Sequence, residues 1–311
     1  MIQPVALLAA VLCALVRSAS AQDAPAANDG STGRQPEQMV LSDALLGAPV
    51  VSESDVTLGT LDDLVVDRES GRLLAAVLAP APSVRPDGQL VPVPADRLQV
   101  ADAAGAPADQ APHRVRLLGI DAARLRDAPA IDRSRWPDRT DRTWFDRMLG
   151  HFGATASGEP TRPERLSSLV GRGVEDAEHA PVGRVSNMAV DLGERELALA
   201  LVDEVDAGER VLAVPYGALR PAAPETGGPR TAAAAAAGED FALGMSRQRL
   251  AAAPRVDRAD LQRLRALARS GEAHEFFGVR RRADARPGRE QPARPRGESG
   301  RSREVGGPRT Q

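Results

Sequence analysis

The sequence predicts a mainly β fold with appended helices: two tandem small β-barrels, each followed by short helices. Three observations carry that expectation. One hairpin is written twice, in LGTLDDLVVDRESGRLLAAVLA from Leu58 to Ala79 and in VGRVSNMAVDLGERELALALV from Val182 to Val202. In each, a Gly opens an apolar run that ends in Val-Asp, and a charged turn leads into a second apolar run. The copies stand in constant register, and each is followed by a segment whose apolar residues recur at helical spacing.

The register is read by sliding the chain on itself. Gly47, Gly59, Val66, Asp67 and Leu73 match Gly171, Gly183, Val190, Asp191 and Leu197 at a shift of 124 residues. Val93, Pro94 and Leu98 match Val214, Pro215 and Leu219 at a shift of 121, so the first copy has three extra loop residues in APSVRPDG. Beyond the barrels, LGIDAARLRDAPAIDR from Leu118 meets LGMSRQRLAAAPRVDR from Leu243 at a shift of 125, and Phe152-Gly153 meets Phe277-Gly278. The chain is therefore a duplicated unit of about 115 residues, as a fixed long period implies.

Within the first copy, VVSESDVTLGTLDDLVVD reads as strand, turn, strand, with a bulge near Leu61 where alternation breaks. RESGR turns the chain into LLAAVLA, QLVPVP supplies a further strand, and RVRLLGI, Arg114 to Ile120, another. Asp121 and Ser246 are placed to cap the short helices, which Ala-Pro ends. Asp257 is the expected cap of the next helix in the second copy, where Leu261, Leu264 and Ala268 share a face and Gly271 is the stop. In the first copy Trp144, Phe145, Met148 and Leu149 share a helix face. With Trp136, Phe152, Phe276 and Phe277 they are read as docking the helices on their own barrels, each aromatic contributing roughly 2 to 3 kcal/mol on burial.

The flanks differ. MIQPVALLAAVLCALVRSASA has a 13-residue apolar run from Pro4 to Val16, followed by Ala19 and Ala21 at cleavage-site spacing. Residues 1–21 are thus expected to be a signal peptide, with export to the periplasm or envelope. Cys13 leaves with it, so a chain starting at Gln22 has no cysteine, which excludes a disulfide framework and a thiol nucleophile. Residues 22–38 read as a disordered linker, 39–120 as the first barrel, 121–160 as a helical segment, 161–245 as the second barrel and 246–279 as a helical segment. Residues 280–311, with ten Arg against four acids, read as a disordered tail, while the whole chain carries -3. The body is acidic, so RNA binding is disfavoured, and every cation is Arg. The Ala run from Ala232 is read as an inserted loop.

No catalytic, cofactor-binding or metal site is assigned. His113, His151, His179 and His274 lack ligand spacing along one element, although His151 and His274 fall near corresponding points of the two copies. Glu175, Asp176, Glu178 and His179 gather at a hairpin tip and are read as a solvated turn. Asp62 and Asp63 point to opposite strand faces and cannot act as a carboxylate pair. Ser167 and Ser168 lack a neighbouring His or a nucleophile elbow. No phosphate-cradling Gly loop occurs.

LLGAPVVSESDVTLGTLDDLVVDRESGRLLAAVL followed by VPVPADRL resembles a PRC-barrel domain, and the second copy, from Leu169 through LAVPYGALR, is similar. That family includes the barrel of the photosynthetic reaction centre H subunit and the C-terminal domain of a ribosome-maturation protein. The resemblance covers roughly residues 40 to 279 and implies a fold; the residues that carry it are structural, and fold does not bring function with it. The expected function is a non-catalytic binding or scaffold protein of the bacterial envelope without cofactor. The expected partner is a protein or envelope surface, with anionic membrane contact through the Arg-rich tail. The alternative is an accessory subunit of a membrane electron-transfer complex, like that H subunit.

Overall fold

The computed structural model describes residues 39–101, 114–133, 142–154, 161–204, 208, 210–222, 240–258 and 260–280. These lie in one compact unit that starts at Glu37. The expected signal peptide and linker, His113, Trp136, the Ala run and all but the first residue of the Arg-rich tail lie outside the described residues. Among the described residues no helix is long and apolar enough to cross a membrane.

The first repeat runs β1 (Met39–Leu41), α1 (Ser42–Leu45), β2 (Pro49–Val51), β3 (Thr57–Asp67), β4 (Leu73–Pro80) and β5 (Val91–Pro94). A 3-10 turn (Ala95–Arg97) leads to β6 (Leu98–Ala101), β7 (Arg114–Leu117), α2 (Ala122–Arg126) and α3 (Arg142–Phe152). The second repeats this order as β8 (Pro163–Arg165), α4 (Leu166–Leu169), β9 (Gly173–Glu175), β10 (Pro181–Asp191), β11 (Glu196–Glu204) and β12 (Arg210–Pro215). A 3-10 turn (Tyr216–Ala218), β13 (Leu219–Pro221), β14 (Phe241–Leu243), α5 (Arg247–Leu250), β15 (Arg255–Asp257), α6 (Leu261–Ser270) and α7 (Glu272–Phe277) complete it. The strand order is β5-β4-β3-β2-β7-β6 in one sheet and β13-β14-β9-β10-β11-β12-β15 in the other. The 3-10 turn joins β5 directly to β6, the two ends of the first sheet, and β12 directly to β13 in the second, where β15 adds a further strand beside β12. The chain is mainly β, with two sheets and appended helices.

The expected bulge near Leu61 is present between Leu61 and Asp63, and its counterpart lies between Val185 and Asn187. Gly59 and Gly183 sit where β3 and β10 coil against their partners. A Cβ on Gly59 would lie 2.2 Å from the Ala79 carbonyl oxygen, and one on Gly183 would lie 2.0 Å from that of Asp203. The glycines are required by this close strand approach, not by a bend at the start of the hairpin.

Helix docking follows the aromatic reading. Phe145, Met148 and Phe152 of α3 and Phe277 of α7 are buried in the main apolar cluster, which runs through both repeats. A smaller cluster joins Leu264, Leu267 and Ala268 of α6 to Met39, Leu199 and Val256. Two local expectations are corrected. Asp257 lies in β15, and the cap of α6 is Asp260, whose side chain accepts the Arg263 amide. Leu98 pairs with Leu117 and Leu219 with Leu243, so Leu117, not Leu118, corresponds to Leu243. The first repeat has one more residue before its short helix, absorbed at Gly119 with φ of 65°. Asp121 caps that helix by accepting the Arg124 amide, whereas Ser246 holds the same place without a side-chain bond.

Two short strands have partners in the opposite repeat. β1 pairs with β10, Met39 opposite Asp191 and Leu41 opposite Ala189. β8 pairs with β3, Pro163 opposite Asp67 and Arg165 opposite Val65. Adding 124 to either residue of the second set's first-repeat member, or to Met39 and Leu41, gives the other set. Each repeat therefore lends a strand-and-helix arm to the other, related by a pseudo-twofold axis. The axis passes by Arg72 and Glu196, which bridge each other and are themselves 124 apart. On either side Leu73 donates to the Arg195 carbonyl and Leu197 to that of Gly71, both at 2.8 Å.

Candidate functional site

Most side chains with chemical potential are tied to local structure. His151 Nε2 is 3.0 Å from the Arg124 carbonyl oxygen, and its ring meets Phe152 edge to face. By the helix register His151 corresponds to Phe276 and His274 to Leu149, so the two are not symmetry mates. His179, exposed at φ of 62°, has Nδ1 2.8 Å from Glu175 Oε1. In the same hairpin tip the Asp176 carboxylate accepts the amides of Glu178 and Ala180 at 3.0 and 2.9 Å. Ser52 occupies the matching place in the first repeat, its hydroxyl accepting the Val56 amide at 3.2 Å. The acidic tip is thus a turn built in both copies, by Asp in one and Ser in the other. Among the described residues no group of three or more His, Cys, Asp or Glu is placed to hold a metal ion.

The buried polar chemistry gathers at the seam where the arms cross. The bulge turns Asp63 inward, and its side chain is fully buried, while Asp62 faces out to Arg133 Nη1 at 2.7 Å. Asp63 accepts the Leu64 amide at 2.8 Å, the Ser167 amide at 3.1 Å, the Ser167 hydroxyl at 2.5 Å and Arg165 Nε at 3.0 Å. The Asp63 carboxylate, with Ser167, therefore fastens the arm of the second repeat to the first. Ser168 donates its hydroxyl to the Arg165 carbonyl at 2.7 Å. The counterpart of Asp63 is Asn187, whose Oδ1 accepts the Met188 amide at 2.9 Å, the Asp43 amide at 3.3 Å and the Ser42 hydroxyl at 2.5 Å.

A second buried group lies along the same seam. Arg68, its side chain only 1% exposed, pairs with Glu164 across the seam at 3.6 Å, and Arg172 pairs with the same carboxylate. Arg68 also donates to the Asp240 carbonyl at 3.2 Å and lies over the Phe241 ring, 5.0 Å from its centroid, a cation–π contact. The Tyr216 hydroxyl donates to the Arg68 carbonyl at 2.8 Å, and burial pushes its phenol above the usual range near 10. Asp67 braces the same crossing, accepting the amides of Glu69, Thr161 and Arg162 at 3.2 to 3.3 Å. Tyr216 and Phe241 of the second repeat thus face the first repeat. No pairing of acids and arginines at matched positions marks this contact in the sequence, and nothing in one strand's text says which repeat it joins.

The family model for the PRC-barrel domain matches residues 37–104. The chain therefore carries a PRC-barrel domain in its first repeat, on the residues that β1 to β6 occupy. A comparison with curated protein sequences gives no match.

Proposed function

Starting from a chain with a PRC-barrel domain at residues 37–104, we propose that it is a non-catalytic binding or scaffold protein of the bacterial envelope. One observation carries this reading: the side chains best suited to acid–base or nucleophilic work are spent on joining the repeats. Asp63 meets four donors, two of them from Ser167, and a carboxylate so saturated is held as a structural anion. In this reading the two joined repeats act as one rigid platform, exported by the leader at residues 1–21. The partner is a protein or an envelope surface, and the Arg-rich segment from Arg280 holds anionic surfaces by long-range attraction.

The test is sedimentation with vesicles containing phosphatidylglycerol at low salt, using the chain from Gln22 and the same chain without Arg280 to Gln311. The deletion is expected to abolish sedimentation while leaving the circular dichroism spectrum of the body intact, and added salt is expected to release the longer form. Equal sedimentation of the two chains would overturn the role given to the tail. A hydrolytic or transfer activity lost on Ser168→Ala would overturn the non-catalytic reading.

A further inference from the structure

The pseudo-twofold axis makes every contact at the seam comparable with its mate, and the mates differ in kind. Arg68 corresponds to Leu192, Glu164 to Val40, Arg172 to Ala48 and Tyr216 to Ala95, and all four apolar counterparts are buried. The steric partner of Tyr216 differs in the same sense. Gly71, at φ of 71°, lies against the ring so closely that a Cβ there would be 2.5 Å from Tyr216 Cδ1. The counterpart of Gly71 is Arg195, at φ of 59°, and it belongs to the side where Ala95 replaces the tyrosine. Space is therefore given where the large ring comes in, and filled where it does not.

We infer that this seam is a pairing code: it admits a first repeat against a second and rejects either repeat against a copy of itself. Two first repeats placed about the same axis would bring Arg68 against Val40 and Val115, with neither the Glu164 carboxylate nor the Phe241 ring. A buried guanidinium stripped of its carboxylate is strongly disfavoured. They would also set Gly71 against Ala95 and leave a void where the Tyr216 ring belongs. Two second repeats would drive Arg195 into the Tyr216 ring, where not even a Cβ has room. Like pairing would link chains into open-ended assemblies, because each chain has one repeat of each kind to offer. The recognised partner of the first repeat's seam face is thus a second repeat, and copies of the chain do not join through like repeats.

Two experiments on the chain from Gln22 test this. The first is a double-mutant cycle on thermal midpoint with Gly71→Arg and Tyr216→Ala. Gly71→Arg is expected to lower the midpoint sharply, and to lower it by less than half as much in the Tyr216→Ala background as in the parent. Backbone strain at position 71 is common to both backgrounds and cancels. An equal loss in the two backgrounds, or no rescue of a variant that fails to fold, would overturn the steric half of the code. The second uses the axis itself. With no other cysteine in this chain, Arg72→Cys with Glu196→Cys is expected to close a crosslink within one chain. Arg72→Cys alone, refolded at high concentration under oxidising conditions, is expected to give no more covalent dimer than Val56→Cys on the exposed hairpin tip. Dimer in several-fold excess over that control would show first repeats pairing with each other and would overturn the inference, as would failure of the intrachain crosslink.

Discussion

Asp63 and Asn187 hold the same place after the same bulge, and each accepts a backbone amide and a serine hydroxyl from the other repeat's arm. Around Asp63 the crossing is charged, with Arg165, Arg68, Glu164 and Arg172, while around Asn187 the corresponding residues are Leu41, Leu192, Val40 and Ala48. The backbone of the seam is thus duplicated and its side chains are not. The difference teaches that strand pairing alone sets how the arms cross, since both chemistries support it. What the charged half adds is a penalty for mispairing, because removing one member of a buried ion pair costs more than the intact pair contributes.

The comparison breaks most visibly at Glu164. Replacing it by the residue of the apolar half, Glu164→Val, leaves Arg68 and Arg172 buried without their shared carboxylate, and about 3 to 5 kcal/mol of stability is expected to be lost in chemical denaturation. A loss below about 1 kcal/mol would mean the charged half is not desolvated as its burial implies. The common backbone is probed by Gly59→Val and Gly183→Val, each expected to cost on the order of 3 kcal/mol, because each Cβ collides with a carbonyl of the adjacent strand. Equal costs would confirm that the two repeats share strand geometry.

Asp63→Ala and Asn187→Ala compare the two fastenings directly. The first removes a charged acceptor and is expected to cost about 3 kcal/mol, the second about 1 to 2 kcal/mol. The reverse order would place the stronger fastening on the neutral side. The smallest effect is that of Tyr216→Phe, about 1 kcal/mol for the lost bond to the Arg68 carbonyl. The folded pKa of this phenol is raised above its unfolded value near 10, so its contribution is whole below that pH and is lost as pH rises further. The parent is therefore expected to lose stability in alkali more steeply than Tyr216→Phe, measured by denaturant midpoint between neutral and alkaline pH.

Much of the fold is legible in the sequence because a duplicated hairpin repeats its glycines, its Val-Asp ending and its bulge in register. The helices are legible through their aromatic faces and Gly271. What is not legible is the exchange of arms. Met39 to Leu41 and Pro163 to Arg165 are three-residue strands, too short to show a period, and neither MVL nor PER says which repeat it joins. The candidate site was hidden for the same reason: Asp63 and Ser167 are 104 residues apart, and each looks unremarkable alone. The misplaced cap has a local cause, since Asp257 and Asp260 both precede the apolar face and tertiary pairing with β12 draws the first into a strand.

The central claim is that the two repeats are one body joined by exchanged arms, and the chain carries a spectroscopic reporter in each half. Trp136 and Trp144 both belong to the first repeat, and the sole tyrosine, Tyr216, to the second. Denaturant unfolding followed by tryptophan fluorescence and by tyrosine second-derivative absorbance tests the claim most directly. The account predicts coincident transitions, with Glu164→Val moving both midpoints down by the same amount. Two separated transitions, or a Glu164→Val shift confined to the tyrosine signal, would contradict it.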